Sequence, residues 1–323
     1  MRSIGRALET LWNASRPLTA VGLGMLAVLA ASLAGLALDP RTVGGAPAWL
    51  KPAKFAASTA IYSLTLAWLI TYLPGRPRLT RLVGWGTALI MVLEVGLIDL
   101  QAARGVASHF NVGTPLDMVI FSFMGTAIVA AFLLGLALTI ALFRQPFADP
   151  ALGWAIRIGM AITLAGAGMG GMMTRPTTAQ MAAARATHTM PIAGAHTVGA
   201  PDGGPGLPGT GWSREHGDLR VPHFIGLHAV QILPLSAFLL GRIISGARRR
   251  RAVLVAAASY LSLFVILLAQ ALAGEALVAP GGMTQTALAI WAAAASVGLA
   301  ISLAPFHGRA TRRLPAVATM IRG

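Results

Sequence analysis

The sequence of 323 residues contains no cysteine. This absence excludes disulfide bonds, thiolate metal ligands, iron–sulfur clusters and cysteine nucleophiles, although it does not identify the compartment. The sequence also lacks a phosphate-binding loop, a GxSxG nucleophile motif, a dinucleotide-binding fingerprint and any HExxH or HxxxH pair. No motif therefore names a reaction, and soluble nucleotide chemistry is not predicted.

Charged residues are scarce in this chain. They make up 11% of it, hydrophobic residues make up 56%, and the mean hydropathy is +0.71, values that lie outside the range of soluble proteins. The apolar runs are unbroken rather than alternating, which predicts an all-α integral membrane protein and not a barrel. A spanning helix needs about 20 residues, and eight runs are long enough, at roughly 18–38, 55–73, 82–105, 115–143, 152–172, 222–243, 252–273 and 287–305.

The basic residues are unevenly distributed among the connections between these runs. Seventeen of the 25 lie in the N-terminal segment, the even-numbered connections and the C-terminal tail, which hold only Glu9 and Asp149 among the acidic residues. The positive-inside rule then places both termini in the cytoplasm. The residues concerned are Arg2, Arg6, Arg16, Arg76, Arg78, Arg81, Arg144, Arg157, Arg242, Arg248, Arg249, Arg250, Arg251, Arg309, Arg312, Arg313 and Arg322.

This topology is that of a multi-pass protein of a bacterial-type cytoplasmic (inner) membrane, whose partner is the lipid bilayer. Because the positive charge is divided among short loops, it argues for attraction to anionic lipid and against a nucleic-acid partner. The first apolar run is interpreted as a retained anchor rather than a cleaved signal peptide, because its core is longer than the usual 7 to 15 residues.

The chain has the pattern of an internal duplication. A shift of 169 positions places LKPAKFAASTAIYSLTLA (50–67) on LRVPHFIGLHAVQILPLS (219–236). Such a shift of four helices preserves orientation, so residues 1–150 and 151–323 are interpreted as two parallel four-helix halves. The alternative is that alanine and leucine match by chance. In a duplication, Lys54 would correspond to His223, Tyr62 to Gln231, and Gln101 to Gln270.

One connection, roughly 173–221, is much longer than the others. Its stretch GAPDGGPGLPGTGW (199–212) has the glycine and proline content of a flexible linker. Leu207, Trp212 and several charged residues are interleaved with it, and these favour a folded lid over the external ends of the helices.

Polar residues follow the third apolar run from its middle to its external end. Glu94 lies near the middle, and an ionisable group there costs about 2.5 to 3.5 kcal/mol on insertion scales. Helical spacing places Gln101, Arg104, Ser108 and His109 on a continuation of the same stripe. Glu94 is expected to need a nearby cation, with Lys54 and Arg104 as candidates, unless it takes part in a purely structural hydrogen bond.

The histidines have three interpretations. In the first, His109 and His228 ligate haem b between the third and sixth spans, with Gln231 on the same face as His228. In the second, His188, His196 and His216, together with nearby methionines, bind copper, which is the weaker metal prediction. In the third, the histidines only cap helices and bridge carboxylates. His223 and His228 are 140° apart around a regular helix, so they cannot bind one metal.

Three functions remain open, and whether the protein is an enzyme is undecided. The first-ranked function is a membrane redox subunit with haem b, a quinol or a redox partner subunit nearby, and a cofactor site lined by Lys54, Gln101, Arg104 and Gln231. The second is a transporter that uses Glu94. The third is a membrane enzyme acting on a lipid or lipid-linked substrate, with Glu94, Asp218, Arg220 and His223 as candidate acid–base and anion-binding groups.

The lack of cysteine makes the predicted topology directly testable, because a single introduced cysteine is then the only thiol. We expect Glu215→Cys, in the long connection, to react with a membrane-impermeant maleimide in intact cells. We expect Ser245→Cys, in the arginine-rich sixth connection, to react only after the cells are permeabilised. The reverse labelling pattern would show that the positive-inside assignment is wrong.

Overall fold

The computed structural model describes residues 2–304, so His307 and the arginines of the C-terminal tail lie outside the described residues. The described chain consists of helices and two short antiparallel strand pairs, β1 with β2 and β3 with β4. In chain order the elements are α1 (Arg2–Ala14), α2 (Arg16–Leu38), β1 (Thr42–Val43), β2 (Ala46–Pro47), α3 (Leu50–Ile70), α4 (Pro77–Arg104), α5 (Pro115–Phe143), α6 (Pro150–Met173), α7 (Thr178–Thr187), β3 (Thr197–Val198), β4 (Gly217–Asp218), α8 (Arg220–Leu227), α9 (Ala229–Gly241), α10 (Gly246–Leu272) and α11 (Gly282–Leu303).

Seven helices within residues 2–304 are long and apolar enough to cross a membrane, namely α2, α3, α4, α5, α6, α10 and α11. The pair α8 and α9 supplies an eighth span if the two bent helices count as one. All eight predicted apolar runs coincide with these helices. The molecule therefore has the helical form of a polytopic membrane protein, whereas the sides on which its termini lie stay a prediction.

The helix boundaries follow ordinary capping rules. Three long helices begin with proline, at Pro77, Pro115 and Pro150, because the missing N–H of proline costs nothing in a first helical turn. The cap predicted for α5 is present, since Thr114 Oγ1 accepts a hydrogen bond of 3.2 Å from the backbone N–H of Asp117.

The two halves of the chain pack in the same pattern. Helix α2 packs on α3, α3 on α4 and α4 on α5, whereas α6 packs on α8 and α9, these pack on α10, and α10 packs on α11. Shifted by 169 residues, every buried residue of α10 falls on a buried residue of α4. These α10 residues are Ala252, Val253, Ala257, Phe264, Leu267, Gln270 and Ala271.

Helices α4 and α10 also end in the same way. Each is followed by a left-handed glycine, Gly105 with φ 74° and Gly274 with φ 77°. The N–H of Gly105 donates to Ala102, and the N–H of Gly274 donates to Ala271, the residue that corresponds to Ala102. The next N–H in each case donates back to the preceding buried glutamine, which completes two Schellman caps. Such matched details are what a duplication would produce.

The second half departs from the first where α8 meets α9. The chain bends by 46° at His228, whereas the sequence predicts a kink lower down at Pro234. The break lies higher because Thr163 of α6 enters the backbone ladder: its hydroxyl donates to Leu227 O at 3.3 Å and accepts from Val230 N at 3.2 Å. The hydroxyl of Tyr260 on α10 donates to Ile225 O at 2.6 Å.

The backbones of α6 and α8 touch beside this break. A Cβ atom added to Gly166 would lie 2.6 Å from the Cα of Gly226, and one added to Gly226 would lie 2.5 Å from the Cα of Gly166. Gly166 belongs to the GAGMG stretch, so its role in close helix packing agrees with the small-xxx-small pattern. This crossing fixes the position of His223, which follows the first turn of α8.

We expect Gly166→Ala to lower the melting temperature of the detergent-purified protein, because overpacking against backbone costs about 1 to 3 kcal/mol. Gly168→Ala is the matched control, since its added Cβ would meet nothing within 4 Å. If both variants melt at the same temperature, the glycine contact does not hold α6 against α8.

Candidate functional site

The long connection between α6 and α8, residues 174–219, is a folded loop segment. Gln180 completes a capping box at the start of α7, and its side-chain amide exchanges hydrogen bonds of 2.8 Å and 3.1 Å with the backbone of Gly194. The segment also reaches the helix ends, because Ala195 N donates to Met173 O at 2.9 Å and Lys54 Nζ donates to Thr210 O at 2.8 Å. It therefore covers one end of the helix bundle.

Asp218 and Arg220, predicted as acid–base and anion-binding groups, hold this loop segment together. Asp218 is 2% exposed and binds the Arg220 guanidinium in a fork, with Nε–Oδ1 at 2.9 Å and Nη2–Oδ2 at 2.6 Å. Its Oδ2 also accepts from Ser213 N at 2.8 Å, and Arg220 Nη2 donates to Gly211 O at 2.7 Å. These contacts use the polar atoms that a substrate would need.

Gln101 and Arg104, predicted to line a cofactor site, belong to a closed network between α4 and α5. Gln101 is fully buried, and its Nε2 donates to Asp117 Oδ1 at 2.9 Å. Arg104 forms an ion pair of 2.7 Å with the same oxygen and also donates to the Gln101 side chain. Thr114 Oγ1 donates to the other carboxylate oxygen at 2.7 Å. The outer part of the predicted polar stripe is therefore structural.

Glu94 and His109, the two ends of the predicted stripe, lie outside this network and face each other. Glu94 is 4% exposed, its Oε1 lies 3.7 Å from His109 Nε2, and its Oε2 receives no hydrogen bond from residues 2–304. The other ring nitrogen of His109 lies 3.2 Å from Ser108 Oγ. About 24% of the His109 side chain is accessible, so the imidazole is the accessible member of the pair and Glu94 the buried one.

Lys51, on the first turn of α3, lies close to the Glu94–His109 pair, because its neighbour Phe55 packs 5.8 Å from the His109 ring. Lys51 and Glu94 do not form an ion pair within 4.0 Å, and within the described chain the Lys51 ammonium donates no hydrogen bond. Its Nζ lies 5.7 Å from the centre of the Phe55 ring. Lys54, the predicted partner of Glu94, is instead exposed and bonded to the loop segment.

A second imidazole, His196, is fixed by Asp202 in the loop segment. Asp202 Oδ2 lies 2.7 Å from His196 Nδ1, and the carboxylate also accepts from the backbone N–H groups of His196 and Thr197. Burial alone raises the pKa of Asp202, but the hydrogen bonds from His196 outweigh it and hold that pKa below its usual range. Burial lowers the pKa of the His196 imidazole, which the Asp202 hydrogen bond only partly offsets.

His223 is the third imidazole of the group. Its Nδ1–H donates to Gly166 O at 2.7 Å. Because the carbonyl of Gly166 and the carboxylate of Asp202 accept hydrogen bonds, the Nδ1 atoms of His223 and His196 carry the protons and their Nε2 atoms are acceptors. The pKa of His109 lies well below its usual range, first because of burial and then because of the charge of the Lys51 ammonium group.

The predicted metal sites receive no support from this arrangement. Within residues 2–304, no three histidine, aspartate or glutamate side chains are placed so that they could hold a metal ion. His188, one of the predicted copper ligands, ends α7 in a left-handed conformation with φ 53° and is exposed. His216 lies in a turn capped by Ser213, whose Oγ accepts a hydrogen bond of 3.0 Å from the backbone N–H of His216.

The predicted haem pair, His109 and His228, has different surroundings. Phe55, Phe110 and Phe121 pack around the His109 ring with centroid distances of 5.8, 6.3 and 6.4 Å, and Glu94 faces its Nε2. An iron ligand needs that nitrogen free, so the site of His109 does not fit haem as it stands.

His228 lies at the break between α8 and α9, with its ring 4.3 Å from Phe224. Gln231 points to α3, where its Nε2 donates to Thr65 Oγ1 at 3.3 Å, while His223 points to α6. His223 and His228 thus contact different residues, Gly166 and Phe224, as their spacing along the helix predicts.

Sequence reasoning missed Lys51, His196 and Asp202 as members of the site. Lys51 had a usable indication, because the shift of 169 residues aligns it with Arg220. The His196–Asp202 pair had none, since loop residues six apart carry no periodic pattern.

Compared with protein-family models, curated proteins and solved structures, the chain matches none of them.

Proposed function

We propose that the protein is a proton-coupled membrane transporter in which Glu94 binds the proton and His109 connects it to the space beneath the loop segment. The observation that carries this proposal is the Glu94–His109 contact of 3.7 Å, in which a nearly inaccessible carboxylate in a spanning helix keeps one oxygen without a hydrogen bond. Ionisable groups inside membrane spans are costly and characteristically mark ion or proton pathways.

Two features of the fold support transport over other uses of a buried carboxylate. The halves pack alike, which agrees with the proposed pair of parallel four-helix repeats. One span is broken at His228, beside the close contact of α6 and α8. Parallel repeats and discontinuous spans recur together in secondary transporters, where one repeat moves against the other around the site.

In this proposal, the chain's own groups move the proton in one short step. Because burial holds the pKa of His109 well below its usual range, its imidazole is neutral near neutral pH and becomes an imidazolium only transiently. When neutral His109 carries its proton on Nε2, uptake of a second proton at Nδ1, on the Ser108 side, is followed by transfer of the Nε2 proton to Glu94 Oε1. The ring is then neutral again, with its proton on Nδ1. Release of this proton from Glu94 to the opposite side of the membrane restores the starting state.

The other two candidate functions are supported less well. The redox function requires iron at His109 Nε2, the atom that faces Glu94. The lipid-enzyme function requires free acid–base groups at Asp218 and Arg220, whose polar atoms hold the loop segment.

We expect Glu94→Gln to remove most of the charge displacement that follows a pH jump when the reconstituted protein is measured on a solid-supported membrane. Glutamine keeps the size of the side chain but cannot take up a proton. Asp99→Asn is the matched control, because Asp99 lies on the same helix and also has a carboxylate oxygen without a hydrogen bond. An unchanged signal in Glu94→Gln, or its loss in Asp99→Asn, would contradict the role given to Glu94.

We expect protein purified from haem-replete cells to show no Soret band before or after reduction with dithionite. The measurement is an absorption spectrum, taken with His109→Ala and His228→Ala alongside. A band that is present in the wild type and lost in both variants would establish haem ligation and overturn the transport proposal.

A further inference from the structure

The site contains two opposite charges that do not satisfy each other. The Lys51 ammonium donates no hydrogen bond within the described chain, and Glu94 Oε2 accepts none there. The two groups lie more than 4.0 Å apart, beyond the limit of an ion pair. They are connected through Phe55 and His109: Lys51 Nζ is 5.7 Å from the Phe55 ring, that ring is 5.8 Å from the His109 ring, and His109 Nε2 is 3.7 Å from Glu94 Oε1. Each therefore keeps its capacity to bind a group of the opposite charge.

The nearby charged groups are already committed elsewhere. Arg220 is paired with Asp218, and Lys54 donates to Thr210 O. Asp202 accepts hydrogen bonds from three donors, the backbone N–H and Nδ1–H of His196 and the backbone N–H of Thr197. These contacts leave Lys51 and Glu94 as the charged groups with unused hydrogen-bonding capacity.

Neutral acceptors complete the surroundings of these two charges. His196 and His223 each use Nδ1 for a fixed contact, and within residues 2–304 no hydrogen bond is made to either Nε2. The ring of His196 lies 4.8 Å from that of Phe110, which in turn lies 6.3 Å from the ring of His109, so His196 is close to the Glu94–His109 pair. An ammonium group has three N–H donors, so a carboxylate and neutral imidazoles together suit it well.

We propose that the transported substrate is a small zwitterion, whose carboxylate binds Lys51 and whose ammonium group binds Glu94. This inference rests on the proposed transport function, since it names the substrate of the same site. A simple anion would leave Glu94 unpaired, and a simple cation would leave Lys51 unpaired, which is costly in a site shielded from water. A molecule with both charges neutralises both residues at once.

The assignment also fixes how the proton and the substrate are related. The ammonium group and the proton bind the same carboxylate, so Glu94 holds one or the other. A proton arriving from His109 displaces the ammonium group, and departure of the proton restores the site. The protein is then an exchanger, in which substrate leaves one side of the membrane as a proton enters from that side.

The test is a thermal-shift measurement on the purified full-length protein at constant pH, using γ-aminobutyrate with butyrate and butylamine as probes. The three probes have the same carbon chain, so only the charged ends differ. We expect γ-aminobutyrate to raise the melting temperature and the two singly charged compounds to raise it much less. Glycine and β-alanine, which have shorter spacings between the charges, then report the distance that the site prefers.

Variants show whether the effect arises at the proposed residues. We expect Lys51→Gln and Glu94→Gln each to abolish the shift, and Lys51→Arg to retain part of it. Asp99→Asn and Arg185→Gln, the latter at an exposed residue of α7, are the controls and should keep the full shift. If a variant does not fold, the wild-type protein is measured at lower pH instead. Protonation of Glu94 then competes with binding of the ammonium group, so the shift in melting temperature should decrease.

An equal shift with butyrate or with butylamine would overturn the zwitterion assignment in favour of an anion or a cation. No shift with any of the amino acids would also overturn it. Neither result would affect the proton-displacement measurement, which needs no substrate, so the substrate class and the proposed proton coupling fail separately.

Discussion

Satisfaction of backbone polar groups away from water governs the architecture of this protein. Inside a membrane, an unpaired N–H or C=O group costs several kcal/mol, so a broken span persists only where neighbouring helices supply the missing partners. Here Thr163 and Tyr260 supply them at the break between α8 and α9. They reach the break because Gly166 and Gly226 let α6 and α8 approach at backbone distance.

The close approach of α6 and α8 also positions a histidine of the candidate site. The carbonyl of Gly166 accepts the Nδ1–H of His223, so the contact that allows the break also sets the tautomer of an imidazole in the candidate site. A side chain at Gly166 would separate the helices and take this acceptor away from His223. The same glycine contact therefore determines both how α6 packs on α8 and how the His223 imidazole is held.

The number and location of the apolar helices could be predicted from sequence, because each depends only on a long local run of apolar residues. The Thr114 cap and the different neighbours of His223 and His228 were also local properties. The break was placed too low, at Pro234, because its true cause lies in side chains of α6 and α10 that are distant in sequence.

The same reasoning explains the mixed outcome at the site. Glu94 was found because a carboxylate in an apolar run is conspicuous in any sequence. Gln101 and Arg104 shared its stripe, but their partner Asp117 lies on the next helix, and that contact decides that they are structural. The site residues differ between the two segments that the shift of 169 residues aligns: Glu94 aligns with Leu263, and Lys54 aligns with His223. Helices that share their buried positions can thus differ in the residues that form the site.

The loop segment has a kinetic consequence. It belongs to the second half of the chain, yet it bonds to the first half through Lys54–Thr210, Ala193–Phe110 and Val112–Pro191. Any rocking of one half against the other must break these few bonds and remake them. In the proposed transporter, the breaking of these bonds would limit the turnover frequency, so the loop segment would determine how fast the cycle runs.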